Sequence, residues 1–102
     1  MLNDVTQAEF AACIGQNFQL EIAPGQTLPA ILGEATLLKH TQTPGQHPER
    51  RAPFSLVFQV PVDSPLPQQI YALEHSRLGR LEIFLVPVGR EAGNLLLEAI
   101  FN

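Results

Sequence analysis

The fold is decided by residues 81–88, which read Leu81-Glu82-Ile83-Phe84-Leu85-Val86-Pro87-Val88. A short, almost continuous apolar run that includes β-branched and aromatic residues predicts a β-strand. Successive strand residues point to opposite faces of a sheet, so we expect this strand to be covered on both faces. Residues 95–101 are apolar in the same way. The C-terminal half therefore predicts a small closed barrel or a tight sandwich.

Outward from this segment, the period-two alternation of apolar residues extends over most of the chain. Strands are predicted at about residues 17–23, 30–40, 54–61, 69–76, 80–88 and 94–101. A helix is predicted at about 6–14, because Thr6 and Glu9 have the spacing of a capping box and Gly15 suits a helix end. Residues 41–53 are rich in Pro and Gly and are expected to form the longest loop. The chain is long enough for one domain, 1–102.

The predicted fold class is mainly β: about six antiparallel strands in a small barrel or open sandwich, with a short N-terminal helix. Sequential pairing of strands is the simplest topology, and it leaves the strands near Phe18 and Phe101 as edges. A bend is expected at Gly33, and Pro87 is expected at a strand end, an edge or a bulge. The four phenylalanines of the second half fall at positions suited to the core: Phe54, Phe58, Phe84 and Phe101.

The strands at about 69–76 and 80–88 are predicted to form a hairpin. In this hairpin Glu74 is predicted opposite Arg80 or Leu81, because a position opposite Glu82 would place two carboxylates face to face. His75, at the end of its strand, is expected to anchor the turn by a hydrogen bond. Adjacent strand residues point apart, so Glu74 and His75 are not expected to act together as a catalytic pair.

Composition excludes several classes of function. The formal net charge is −4 with a pI of about 5.2, and the few basic residues are scattered apart from Arg50-Arg51. Binding to nucleic acid or to an anionic membrane is therefore disfavoured. Cys13 is the single cysteine, which excludes an intramolecular disulfide, and it is expected to be a small buried residue. The absence of a signal-peptide pattern and of a long apolar run predicts a cytoplasmic setting.

No catalytic, cofactor-binding or metal-ligating residue is predicted, and no cofactor is expected. His40 and His47 lie seven residues apart in the Pro/Gly-rich loop, a poor spacing for metal ligands. The chain has no Gly-rich phosphate loop, no G-x-S-x-G elbow and no H-E-x-x-H pattern.

The C-terminal half resembles a family of small bacterial domains of unknown function. The resemblance rests on Phe54–Phe58, Leu66-Pro67-Gln68, Tyr71–His75, Leu78–Gly89 and Glu98–Asn102. It covers about half of the chain and is specific in order and spacing. It implies a stand-alone domain and, as a candidate partner, a phage-tail-collar-like protein; it implies no activity or cofactor.

These observations predict a non-enzymatic protein-interaction or accessory module that binds another protein, or copies of itself through an edge strand. The predicted interaction surface surrounds the hairpin turn and comprises Glu74, His75, Arg77, Arg80 and Glu82. One alternative is a small-ligand-binding barrel whose cavity is lined by the Phe54 and Tyr71 faces. A less favoured alternative is an enzyme that uses the carboxylates Glu74, Glu82 or Glu98 in a cleft.

Overall fold

The computed structural model describes residues 5–38 and 53–101. One helix precedes six strands, and the elements are α1 (Gln7–Ala11), β1 (Asn17–Ala23), β2 (Gln26–Leu37), β3 (Phe54–Val60), β4 (Gln69–His75), β5 (Gly79–Glu91) and β6 (Asn94–Phe101). The predicted fold class is confirmed, and the choice between barrel and sandwich is decided in favour of a closed barrel. The prediction of a loop over 41–53 lies, apart from Pro53, outside the described residues.

The helix begins where the capping box predicts. The Thr6 hydroxyl accepts a hydrogen bond from the Glu9 N–H, and the Glu9 carboxylate accepts one from the Thr6 N–H. However, α1 ends earlier than predicted. The following residues turn back onto the sheet, and the Gly15 N–H donates to the Leu32 carbonyl oxygen over 2.7 Å. The short helix is thereby tied to the barrel wall.

The strand order is β1-β2-β3-β6-β5-β4, and β4 pairs with β1 to close the barrel. The expectation of purely sequential pairing is wrong, because β3 pairs with β6 rather than with β4. The expectation of two edge strands is wrong for the same reason: β1 and β6 each have two neighbours. Closure satisfies the backbone hydrogen-bonding groups that an open sheet would expose.

Two irregularities fall where the sequence predicts them. The register of β2 against β3 shifts between Leu32 and Glu34, which places a bulge at Gly33. The register of β5 against β6 shifts between Pro87 and Gly89, so Pro87 lies at a bulge. Bulges increase local twist and bend a strand, which a small barrel requires. The predicted register of the β4–β5 hairpin is also confirmed, since Glu74 faces Arg80.

The barrel interior is filled by large side chains. At the end covered by α1, Phe10 packs against Phe54 and Phe101, each with ring centroids 5.9 Å away, and the last two rings stack at 4.7 Å. Further along the barrel, Phe18 meets Phe58 edge-on at 5.2 Å. Cys13 is buried, as expected. Four of the six phenylalanines of the chain thus point into the barrel from its strands: Phe18, Phe54, Phe58 and Phe101. Phe10 packs against this interior from the helix.

Candidate interaction surface

The residues predicted to form an interaction surface lie on the β4–β5 hairpin, but they do not share one environment. Glu74, Arg77, Arg80 and Glu82 are exposed, whereas His75 is only 7% exposed. Glu74 and Arg80 face each other across the hairpin, and Glu82 faces Ala72 two pairs along. The four charged residues are therefore available to a partner, and the imidazole is turned inward.

His75 anchors the turn, as predicted. Its Nδ1 accepts hydrogen bonds from the N–H groups of Arg77 and Leu78, at 3.1 and 3.2 Å. These two donors assign the neutral tautomer with the proton on Nε2, which donates to Oε1 of Gln16 over 2.7 Å. The ring also lies against Phe18, with centroids 4.5 Å apart. His75 thus joins the hairpin turn to the segment between α1 and β1.

The ionisation of His75 is set by this environment. Burial, with a smaller contribution from the positive charge of Arg77, lowers the pKa of His75 below its ordinary value of 6.5. A proton added at Nδ1 would also face two N–H donors. The imidazole is therefore neutral at physiological pH and serves the structure of the turn.

Two open depressions flank the hairpin. One, of about 360 Å³, is lined by Gln19, Glu74, His75, Ser76, Gly79 and Arg80. The other, of about 330 Å³, is lined by the apolar residues Ile22, Ile70 and Ala72 together with the charged residues Glu21, Arg80 and Glu82. Nη2 of Arg80 lies 3.7 Å from Oε1 of Glu21, and both side chains are partly exposed to solvent. An exposed pair of this kind contributes little to stability but partly neutralises both charges.

The carboxylates of the alternative enzyme hypothesis are placed apart. Glu74 lines the first depression and Glu82 lines the second. Glu98 lies on β6, where it faces Val57 on one side and Val86 on the other. No depression described above contains all three, so the arrangement gives no support to a paired-carboxylate site.

A surface that the sequence analysis missed lies on the outside of β4, β5 and β6. Ile70 and Phe84 face each other across β4 and β5 and are 65% and 52% exposed. Val86, half-buried, follows on the same side of β5, and Ile100 on β6 is 52% exposed. Val86 on β5 is paired with Glu98 on β6. Because the two strands are antiparallel, Phe84, two residues before Val86, lies next to Ile100, two residues after Glu98. We call these four residues the Phe84 face.

The Phe84 face corrects two expectations. Phe84 was expected in the core, and β5 was expected to be covered on both faces. In β5 the buried residues are Leu81, Ile83 and Leu85, so Phe84 must point outward by strict alternation. The outward orientation of Phe84 could be identified from which alternate residues of β5 are buried, namely Leu81, Ile83 and Leu85. The number of apolar residues in the strand does not reveal it.

Other classes of site receive no support from residues 5–38 and 53–101. Within these ranges no three His, Cys, Asp or Glu side chains are arranged to hold a metal ion. His40 and His47 lie outside the described residues. No helix in the described part of the chain combines the length and apolarity needed to cross a membrane.

Comparison with known proteins identifies a family but no function. A family model described as a domain of unknown function (DUF6916) matches residues 5–101, and the chain belongs to that family. No curated protein and no solved structure matches the chain.

Proposed function

We propose that this DUF6916 domain is a non-enzymatic protein-interaction module that binds its partner through the Phe84 face. The observation that carries the proposal is the pairing of two exposed large hydrophobic side chains, Ile70 and Phe84, on the outside of a closed barrel. Val86 extends the apolar surface along β5, and Ile100 extends it onto β6. Contiguous apolar patches of this kind on small proteins are typical of interaction sites.

The exposed side chains are not needed to complete the core. The interior is already filled by inward-facing residues from all six strands. Leaving apolar surface in water forgoes about 25 cal/mol for each Å² that could be buried. Aromatic residues, Phe among them, are enriched at the buried centres of protein interfaces. A partner that covers Phe84 would recover this free energy.

Barrel closure changes how copies or partners could associate. Addition of a strand to an edge requires unpaired backbone N–H and C=O groups. Each of the six described strands has two neighbours, so the expected edge-strand route lacks its template. Binding through side chains on the outer face does not need one.

The small-ligand alternative fits the structure less well. The ligand-binding alternative predicts a cavity lined by the Phe54 face. In the structure, the Phe54 ring is stacked on the Phe101 ring, with their centroids 4.7 Å apart. Tyr71 is buried, and its hydroxyl donates to the Pro67 carbonyl oxygen over 2.5 Å. Barrels with few strands have interiors that side chains alone can fill. The residues proposed to bind a ligand are thus engaged in packing.

The sequence resemblance nominates a phage-tail-collar-like protein, and the proposal retains it as a candidate. Nucleic acid and membranes are not proposed, because the described surface is predominantly acidic.

The experiment is affinity capture from cells that produce the protein, with wild type, Phe84→Ser and Ile14→Ser as baits. Ile14 is 47% exposed and lies outside the Phe84 face, so its replacement removes exposed apolar surface elsewhere. We expect specific proteins to be enriched by wild type and Ile14→Ser and lost with Phe84→Ser. Identical capture by all three baits, or no capture together with a monomeric native mass spectrum, would contradict the proposal.

A further inference from the structure

We infer that the partner segment seated on the Phe84 face is cationic, with an apolar anchor side chain flanked by Lys or Arg. This inference rests on the proposed function and adds the chemistry of the partner. It is carried by two carboxylates that bracket the apolar surface.

Glu82 and Glu98 lie at the borders of the Phe84 face. Glu82 precedes Phe84 by two residues and points outward on the same strand. Glu98 faces Val86, two residues beyond Phe84, from the neighbouring strand. With about 3.3 Å per strand residue, the two carboxylates are separated by about 13 Å along β5. An apolar side chain resting on Phe84 would therefore have a carboxylate on each side.

Within the described part of the chain, neither carboxylate is engaged in an ion pair. Within residues 5–38 and 53–101, no Arg lies within salt-bridge distance of Glu82 or Glu98, and the Arg80 guanidinium is directed to Glu21. The depression that shares Ile70 with the Phe84 face is lined by two carboxylates and one guanidinium. Its net charge is negative, so it extends the acidic border on the β4 side.

A second copy of this chain does not fit the same surface. The described residues are strongly acidic, since eight carboxylates stand against three arginines. The carboxylates are Glu9, Glu21, Glu34, Asp63, Glu74, Glu82, Glu91 and Glu98, and the arginines are Arg77, Arg80 and Arg90. Placing two such faces together would bring like charges into apposition, which is unfavourable.

The segment 39–52 of this chain is also a poor occupant. It is basic in sequence, but it contains no Leu, Ile, Val, Met, Phe or Tyr. It therefore lacks a large apolar side chain to cover Phe84. A separate partner with both charge and an apolar anchor satisfies the two features of the surface together.

The test uses three fluorescein-labelled peptides as probes, read by fluorescence anisotropy. The first alternates Lys with Leu or Phe (KLKFKLK), the second replaces Lys by Glu (ELEFELE), and the third keeps Lys but replaces the apolar residues by Ser (KSKSKSK). Titrations are made at roughly 0.05 and 0.5 M salt, where charge screening differs severalfold.

We expect the first peptide to bind most tightly and to weaken at high salt. Glu82→Gln and Glu98→Gln should each raise its Kd about two- to fivefold and reduce its salt dependence. Phe84→Ser should raise the Kd about tenfold or more. Glu91→Gln, which removes an exposed carboxylate at the far end of β5, should leave the Kd unchanged.

The failures are distinguishable. If the acidic peptide binds as tightly as the basic one and still requires Phe84, the cationic inference is overturned and the proposed function stands. If the serine peptide binds equally, or if Phe84→Ser has no effect, the apolar face is not the docking surface and both fail. Absence of binding by all three peptides overturns the cationic inference, and the affinity capture then decides the proposed function.

Discussion

Phe58 and Phe84 are the same residue type at the centres of two apolar strands, yet the barrel uses them in opposite ways. Phe58 points inward, is fully buried and meets Phe18 edge-on at 5.2 Å. Phe84 points outward, is 52% exposed and faces Ile70. The difference comes from the phase of alternation and not from composition. Residues in phase with the interior build the barrel, and apolar residues out of phase with it are available for binding.

The largest loss of stability is expected from a substitution at the buried phenylalanine, Phe58. Phe58→Ala should lower the free energy of unfolding by about 3–5 kcal/mol, because it removes a buried ring and leaves a cavity. Phe84→Ala, the matched control, should change it by no more than about 0.5 kcal/mol. Urea denaturation of the two variants measures both. Similar losses would mean that Phe84 belongs to the folding core.

His75 allows a second test of the inward-facing residues, because it is buried, titratable and hydrogen-bonded to the turn. His75→Ala should cost about 1–3 kcal/mol, since the N–H groups of Arg77 and Leu78 lose their acceptor. His75→Asn should cost less, because an Asn side-chain oxygen can accept the same two bonds. Both costs are measured by denaturation at neutral pH.

The pH dependence follows from the lowered pKa of His75. Between the lower folded pKa and the unfolded value of 6.5, the unfolded chain binds more protons than the folded one. The contribution of neutral His75 to the free energy of unfolding is therefore fully present above pH 6.5. It is lost as the pH falls below that value. Wild type should lose stability as the pH falls below about 6.5, and His75→Asn should lose less over the same range. Equal slopes for the two proteins would show that His75 does not titrate as described.

The smallest of these effects concerns a turn residue that belongs to neither face. Gly79 ends the β4–β5 turn with φ +78°, and a Cβ there would meet no atom within 4 Å. Gly79→Ala should therefore cost only the backbone strain of the left-handed conformation, about 1–2 kcal/mol. Gly79→Asn should recover part of this loss, because Asn tolerates that region better. A thermal melt that leaves Gly79→Ala unchanged would contradict the turn geometry.

Local features of the fold could be predicted from particular residues. The Thr6–Glu9 capping box, the bulge at Gly33 and the Glu74–Arg80 register each follow from short-range chemistry. The strand order could not be predicted in this way. The pairing of β1 with β4 and of β3 with β6 joins segments far apart in sequence, and no turn residue specifies it.

The candidate site was predicted only in part. The charged residues of the hairpin are recognisable from their positions near Ser76-Arg77-Leu78, and four of the five predicted residues are exposed. The sequence pattern predicts Phe84 in the core, because a phenylalanine in an apolar strand is normally buried. Its exposure depends on which face of β5 the closed barrel covers, and that is a property of the tertiary structure.

The central claim is that the outside of β4, β5 and β6 binds a partner while the inside holds the fold. Titration of the isotopically labelled protein with KLKFKLK, followed by amide chemical shifts, tests it most directly. The account predicts that the largest shift changes fall on Ile70, Phe84, Val86 and Ile100, with residues around α1 unmoved. Changes concentrated on α1, or on inward residues such as Phe58, would contradict it.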